Sequence, residues 1–170
     1  NLSDDRIRQV TEFIFRSNFD KQQGLVNATV PQNRSTTIHT YKNCQAGAVW
    51  TGIGYAFSAL ALSVGNNEIA DTVVDSIHNN QLRLGCFWDH WECGHHYTRP
   101  MSSWSTLIAA SGLAVDYENK RLTFKPIDKN ITFPLILPDI LAKVTFTDGK
   151  CEIDCISGDM NGWDIRAECC

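Results

Sequence analysis

Residues 86–104 read CFWDHWECGHHYTRPMSSW, and these positions hold two Cys, three His, an Asp, a Glu, an Arg and three Trp. Three chemistries could use such a crowd. The first is zinc, since Cys86, His90, Cys93, His95 and His96 are all ligand types. Structural zinc sites space their ligands as C-x2-4-C and, about a dozen residues later, H-x3-5-H. Here His90 and five other residues separate Cys86 from Cys93. A loop-closing disulfide between those two is the preferred reading, and no metal is expected. The second is a Cys–His nucleophile, which needs a thiol of lowered pKa beside a base. Nothing in the spacing selects one cysteine for that role. The third is carbohydrate binding. Trp rings stack on the apolar faces of sugars, and His, Glu and Arg fix hydroxyl positions by charge-assisted hydrogen bonds. Glu92, His90, Trp91, His95 and Arg99 are the candidate contacts, with Trp88, His96 and Tyr97 of the same kit beside them. Trp91, Tyr97 and Trp104 as core aromatics, with Arg99 in a structural ion pair, is the competing account.

Composition frames these options. The chain has 170 residues, 43% hydrophobic and 20% charged, with a net charge of -4. Its length suits about one domain with a core of its own. The basic residues are scattered, which argues against a nucleic-acid surface or a polybasic membrane patch. No cofactor is expected. Four sequons, at Asn1, Asn27, Asn33 and Asn130, are candidate N-glycosylation sites. With the cysteines they point to a secreted, extracellular or lumenal glycoprotein carrying N-linked glycans. The seven cysteines are Cys44, Cys86, Cys93, Cys151, Cys155, Cys169 and Cys170. They read as disulfide formers whose odd number leaves one thiol over or bonded to another chain. A first residue that is not Met, together with this odd thiol, suggests a processed subunit linked to an upstream fragment of the same precursor.

The elements that must position the crowd follow from periodicity. A helix is predicted from about Asp4 to Asn18, capped by Ser3, with Ile7, Val10, Phe13 and Ile14 on one face. Residues 19–43 read as a long polar loop or lid. A second helix, from about Cys44 to Val64, is apolar nearly all round and should be deeply buried. A third, about Glu68 to Gln81, is amphipathic and should lie outside. Pro100 suits the first turn of a fourth, about Met101 to Ser111, ended by Gly112. After Asp116, alternation with period two takes over: one run spans Arg121 to Ile127. Another spans Leu141 to Thr147 and turns at Asp148-Gly149 into Lys150 to Ile156. No helix is long and unbroken enough to span a membrane. Buried and outer helices in succession read as part of an α/α toroid, which four helices cannot close.

One run carries a family likeness. Glu92-Cys93-Gly94-His95-His96-Tyr97-Thr98-Arg99-Pro100-Met101-Ser102-Ser103-Trp104, followed by Leu107 and Ala110-Ser111-Gly112, resembles the C-terminal part of the non-lysosomal glucosylceramidase family. These are the bile-acid β-glucosidase-like enzymes, glycoside hydrolase family 116. Val49-Trp50-Thr51-Gly52 with Tyr55-Ala56 resembles an upstream helix of that family, and Leu122-Thr123-Phe124-Lys125-Pro126 one of its strands. The likeness covers roughly residues 5 to 135. It implies a mainly α protein: residues 1–116 as the last helices of a six-hairpin α/α barrel, completed by another polypeptide segment. Residues 117–170 would then form a C-terminal β extension; its Cys151, Cys155, Cys169 and Cys170 lie beyond the likeness and are read separately as disulfide staples. It further implies a retaining β-glycosidase whose nucleophile and general acid lie outside this chain. The chain's own share is the wall that grips a β-linked sugar or glycolipid, with Arg99 at the position of the family's sugar-binding arginine. Two positions depart from the pattern. His90 and Ala48 stand where the family carries sugar-contacting glutamates, and each lost charge-assisted contact costs about 1.5–3 kcal/mol of binding. The alternative is therefore a catalytically inactive glycosidase-like glycoprotein, kept for carbohydrate binding or assembly. An independent disulfide-rich module is the third possibility.

Overall fold

The computed structural model describes residues 2–29, 47–85, 87 and 99–168. They fall into two compact units, Asn1–Thr106 and Leu107–Cys170. The architecture is α+β rather than a mainly α barrel. Among the described residues there are four α-helices, and eight strands arranged in three sheets. The correction has two physical causes. Short strands interrupt the helical half, and the alternating runs of the second half enclose a core of their own.

In the first unit α1 spans Asp4–Asn18, with Ser3 as N-cap accepting from the Arg6 amide at 3.4 Å and Asp4 and Asp5 in the first turn. Its buried face differs from the expected one. Val10 and Phe13 are 42% and 64% exposed, while Thr11 is fully buried. Thr11 donates to the Arg8 carbonyl at 2.8 Å and accepts from Asn66 Nδ2 at 2.7 Å, and Arg8 Nε donates to the Val64 carbonyl at 2.8 Å. Polar bonds, not the apolar stripe alone, thus dock this helix. Phe19–Asp20 (β1) and Gly24–Leu25 (β2) then form a small antiparallel hairpin, extended by a bridge between Val26 and Val49.

Helix α2 spans Thr51–Ser63 and α3 spans Asn67–Leu84. The second helix begins later than expected because Val49 pairs as strand and Trp50 is extended (φ -100°, ψ 112°). Nor is it buried all round: Ile53 and Leu60 are 41% and 42% exposed and Ala56 is exposed, so one apolar stripe faces out. Gly54 allows α3 to approach, since a Cβ there would lie 2.8 Å from Ile77 Cδ1. Leu25, Phe57, Val73 and Ile77 form the core, with Ile14, Phe15, Phe19, Tyr55 and Ile69 packed on it. Helix α3 ends at Gly85 in the left-handed conformation (φ 67°). A 3-10 turn, Pro100–Ser103, leads into α4, Trp104–Ser111.

In the second unit Ala114–Asp116 (β3) pairs antiparallel with Arg121–Phe124 (β4), which pairs in parallel with Asp164–Ala167 (β8). Ile131–Ile136 (β5), Leu141–Thr147 (β6) and Lys150–Ser157 (β7) form an antiparallel meander. The predicted Asp148-Gly149 turn joins β6 to β7, with φ of 48° and 81°; two positive φ angles in a row match the twist of a hairpin. Alternation sends Ala142, Val144 and Phe146 inward to meet Leu122, Phe124, Phe133, Leu135 and Ile140. Gly112 (φ 57°) sits against β4's continuation, where Lys125 donates to its carbonyl at 3.2 Å.

Candidate functional site

The site is built where the chain enters α2 and where it enters the 3-10 turn, both in the first unit. Trp50 is the N-cap residue of α2; its side chain makes no capping bond, and its carbonyl accepts from Gly54 at 2.9 Å. Arg99 holds the same place ahead of Pro100–Ser103, where proline's fixed φ favours the first turn. The Arg99 carbonyl accepts from Ser102 N at 3.2 Å. The Arg99 guanidinium lies 6.0 Å from the centroid of the Trp50 ring, at the outer limit for a cation–π contact worth about 0.5–1 kcal/mol.

Gly52 makes this approach possible. A Cβ at that position would stand 2.7 Å from Arg99 Cδ, 3.1 Å from Arg99 Cβ and 3.3 Å from Ser102 Oγ. The arginine stem therefore lies directly on the backbone of α2. One turn further on, Ser105 Oγ donates to the Ser102 carbonyl at 2.6 Å and to the Tyr55 carbonyl at 3.5 Å. Burial raises the pKa of the Tyr55 phenol, whose ring packs on the core of the first unit. Val49 and Thr51, which flank Trp50, line a separate pocket of about 110 Å³ together with Ala48, Ser76, Ile77, Asn80 and Gln81.

Chemically, these two side chains can contact a ligand by hydrogen bonding and stacking. A guanidinium donates hydrogen bonds and does not deprotonate in proteins, and an indole supplies a flat apolar face. Both suit a polyhydroxylated ligand. Neither is a nucleophile or a proton shuttle.

Of the residues singled out by sequence, the structure places Arg99 against Trp50 and Gly52. His90, Trp91, Glu92 and His95 lie outside the described residues, as do Asn1, Asn33, Cys44, Cys86, Cys93, Cys169 and Cys170. Asn27 is half-buried after β2, its amide donating to the Ala48 carbonyl at 2.9 Å. Asn130 is exposed and its Oδ1 accepts from the Asp148 amide at 2.9 Å. Cys151 and Cys155 lie four positions apart on β7. At about 3.3 Å per residue that is too far for a bridge between them, which needs Cα atoms closer than about 7 Å. Cys155 carries a free, exposed thiol whose Sγ lies 3.6 Å from the Ser157 carbonyl oxygen. Among the described residues no three His, Cys, Asp or Glu side chains cluster as metal ligands, and no helix is long and apolar enough to cross a membrane.

Trp50 is the site residue that sequence reasoning missed. It counted only as part of a helix motif. The signal was the glycine two positions on, whose missing side chain leaves room for another segment. Compared with known proteins, the chain matches no family model and no curated sequence.

Proposed function

We propose that this chain supplies a sugar-gripping wall of a secreted or lumenal glycosidase-like protein, with Arg99 and Trp50 as its central pair. The observation that carries the reading is convergence. Arg99 and the Val49-Trp50-Thr51-Gly52 segment resemble two separate stretches of the non-lysosomal glucosylceramidase family, and they meet in space through Gly52. A planar donor beside an aromatic face is the chemistry by which a sugar's hydroxyls and C–H face are held together. Hydrolysis of a β-linked sugar or glycolipid would draw its two carboxylates from a segment other than this one, a partner fragment of the same precursor.

Titration of the glycosylated protein with a β-glucoside tests the reading. Arg99→Ala should abolish binding, a loss of at least about tenfold for one charge-assisted contact, while the circular dichroism spectrum stays unchanged. Binding that survives in a folded Arg99→Ala protein would sink it.

A second reading, carbohydrate binding without hydrolysis, is favoured by Ala48. Ala48 stands where the family pattern has a glutamate, and it lines a pocket shared with Val49, Thr51 and Ile77. Ala48→Glu should then tighten β-glucoside binding by about tenfold. No turnover of an activated aryl β-glucoside by the intact glycoprotein supports this reading; turnover supports the first.

A further inference from the structure

We propose that the loop end of the second unit, where Tyr117, Asp139 and Trp163 meet, is a separate binding site for a neutral saccharide. Three connections converge there: residues 117–120 between β3 and β4, 137–140 between β5 and β6, and 158–163 between β7 and β8. They are locked to one another. The Tyr117 hydroxyl donates to Asp139 Oδ1 at 3.3 Å. The Trp163 ring meets the Tyr117 ring edge-on, centroids 5.4 Å apart and planes at 81°. Gly158 (φ 94°) presses on the second loop so closely that a Cβ there would lie 2.1 Å from the Asp139 carbonyl oxygen. Asp164 N donates to the Lys120 carbonyl at 2.8 Å, tying the third loop to the first.

The outcome is an aromatic ring that is fixed and yet 46% exposed. Trp163 packs against the core behind it. A rigid exposed ring can accept the C–H face of a sugar without the entropy cost of ordering a loose side chain. The Asp139 carboxylate beside it has acceptor capacity beyond the one phenol bond. It can take hydrogen bonds from sugar hydroxyls with the strength of a charged acceptor. The charges nearby select the ligand class. Glu118, Asp139 and Asp159 outnumber Lys120 on these loops, which disfavours phosphate, sulfate or uronate groups. A neutral polyol fits. This site owes nothing to Arg99 and lies in the other unit.

The test is calorimetric titration of the full chain with a panel of neutral disaccharides built from glucose, galactose, mannose and N-acetylglucosamine, run in both the unaltered and the Arg99→Ala protein. At least one should bind the Arg99→Ala protein, with a dissociation constant of about 1 mM. Tyr117→Ala and Asp139→Asn should each weaken that binding about tenfold, and Tyr117→Phe less. Near-UV circular dichroism checks folding. If Tyr117→Ala does not fold, Asp139→Asn carries the test. The proposal is overturned if no disaccharide of the panel binds the Arg99→Ala protein, or if binding there is untouched by Asp139→Asn and by a folded Tyr117→Ala. Failure of the Arg99 reading looks different: Arg99→Ala would then leave every binding event of the unaltered protein in place.

Discussion

Gly52 and Arg99 are fitted to each other: the arginine stem occupies the space that a side chain on the glycine would fill, with Cδ 2.7 Å from where a Cβ would stand. The helix gives up something for this. A glycine inside a helix costs about 1 kcal/mol relative to alanine, and Gly52 is buried in the first turn of α2.

Gly52→Ala therefore sets two effects against each other. Better helix propensity contributes about 1 kcal/mol, and overpacking against Arg99 costs about 1–3 kcal/mol. Thermal unfolding should move little or fall by up to about 2 kcal/mol, whereas β-glucoside binding should drop sharply as the guanidinium leaves the Trp50 ring. Undiminished binding would show that the glycine does not set the arginine's position.

At Gly112 there is no such compensation. Its φ of 57° is left-handed, and a Cβ would lie 2.1 Å from the Lys125 carbonyl oxygen, a backbone atom that cannot swing aside. Gly112→Ala should destabilise the second unit by at least about 2 kcal/mol. Denaturant unfolding followed through Trp163 fluorescence checks this. A loss below half that size would mean that the strand from β4 relaxes.

Acid should loosen the second unit in a defined direction. Hydrogen bonds from Arg121 and then Arg166 hold the Asp164 carboxyl below its ordinary value near 3.8, and the Asn119 side chain does the same for Asp116. A carboxyl with a depressed folded pKa binds fewer protons folded than unfolded. Its stabilising contribution is complete above the unfolded value and is lost as pH falls through the folded one. Urea midpoints should thus hold steady down to about pH 5 and decline below it, and Asp164→Asn should flatten part of that decline. Asp164 is exposed and Asp116 half-buried, so salt should weaken the effect.

Much of this structure was legible beforehand. The limits of α1, the Gly112 stop and the Asp148-Gly149 hairpin were local signals: an N-cap serine, left-handed glycines and strict alternation. The errors arose where tertiary partners overrode pattern. α2 looked apolar all round, but Ile53 and Leu60 remain exposed, because a run of apolar residues records composition and not which faces find a partner. Residues 19–43 read as one loop, yet Phe19–Asp20 and Gly24–Leu25 pair across a three-residue turn too short for period-two alternation to register. The buried Thr11 was invisible for a related reason. A polar residue on an apolar stripe is kept inside by the Arg8 carbonyl of its own helix and by Asn66, fifty-five positions away. Arg99 was singled out by its motif, but its partner Trp50 could be found only through the gap at Gly52.

The parallel pairing of β4 with β8 sets an order of events in time. The β5–β6–β7 meander is closed by short loops and can form early. Arg121 and Asp164, register partners in the β4–β8 ladder, must meet across 43 positions of chain. Closing so long a loop is entropically costly until the meander has brought its ends near. The ladder and its Arg121–Asp164–Arg166 ion cluster should therefore form after the rate-limiting barrier. In that case Asp164→Asn speeds unfolding and leaves the folding rate nearly unchanged. An equal slowing of folding would place β8 in the nucleus instead.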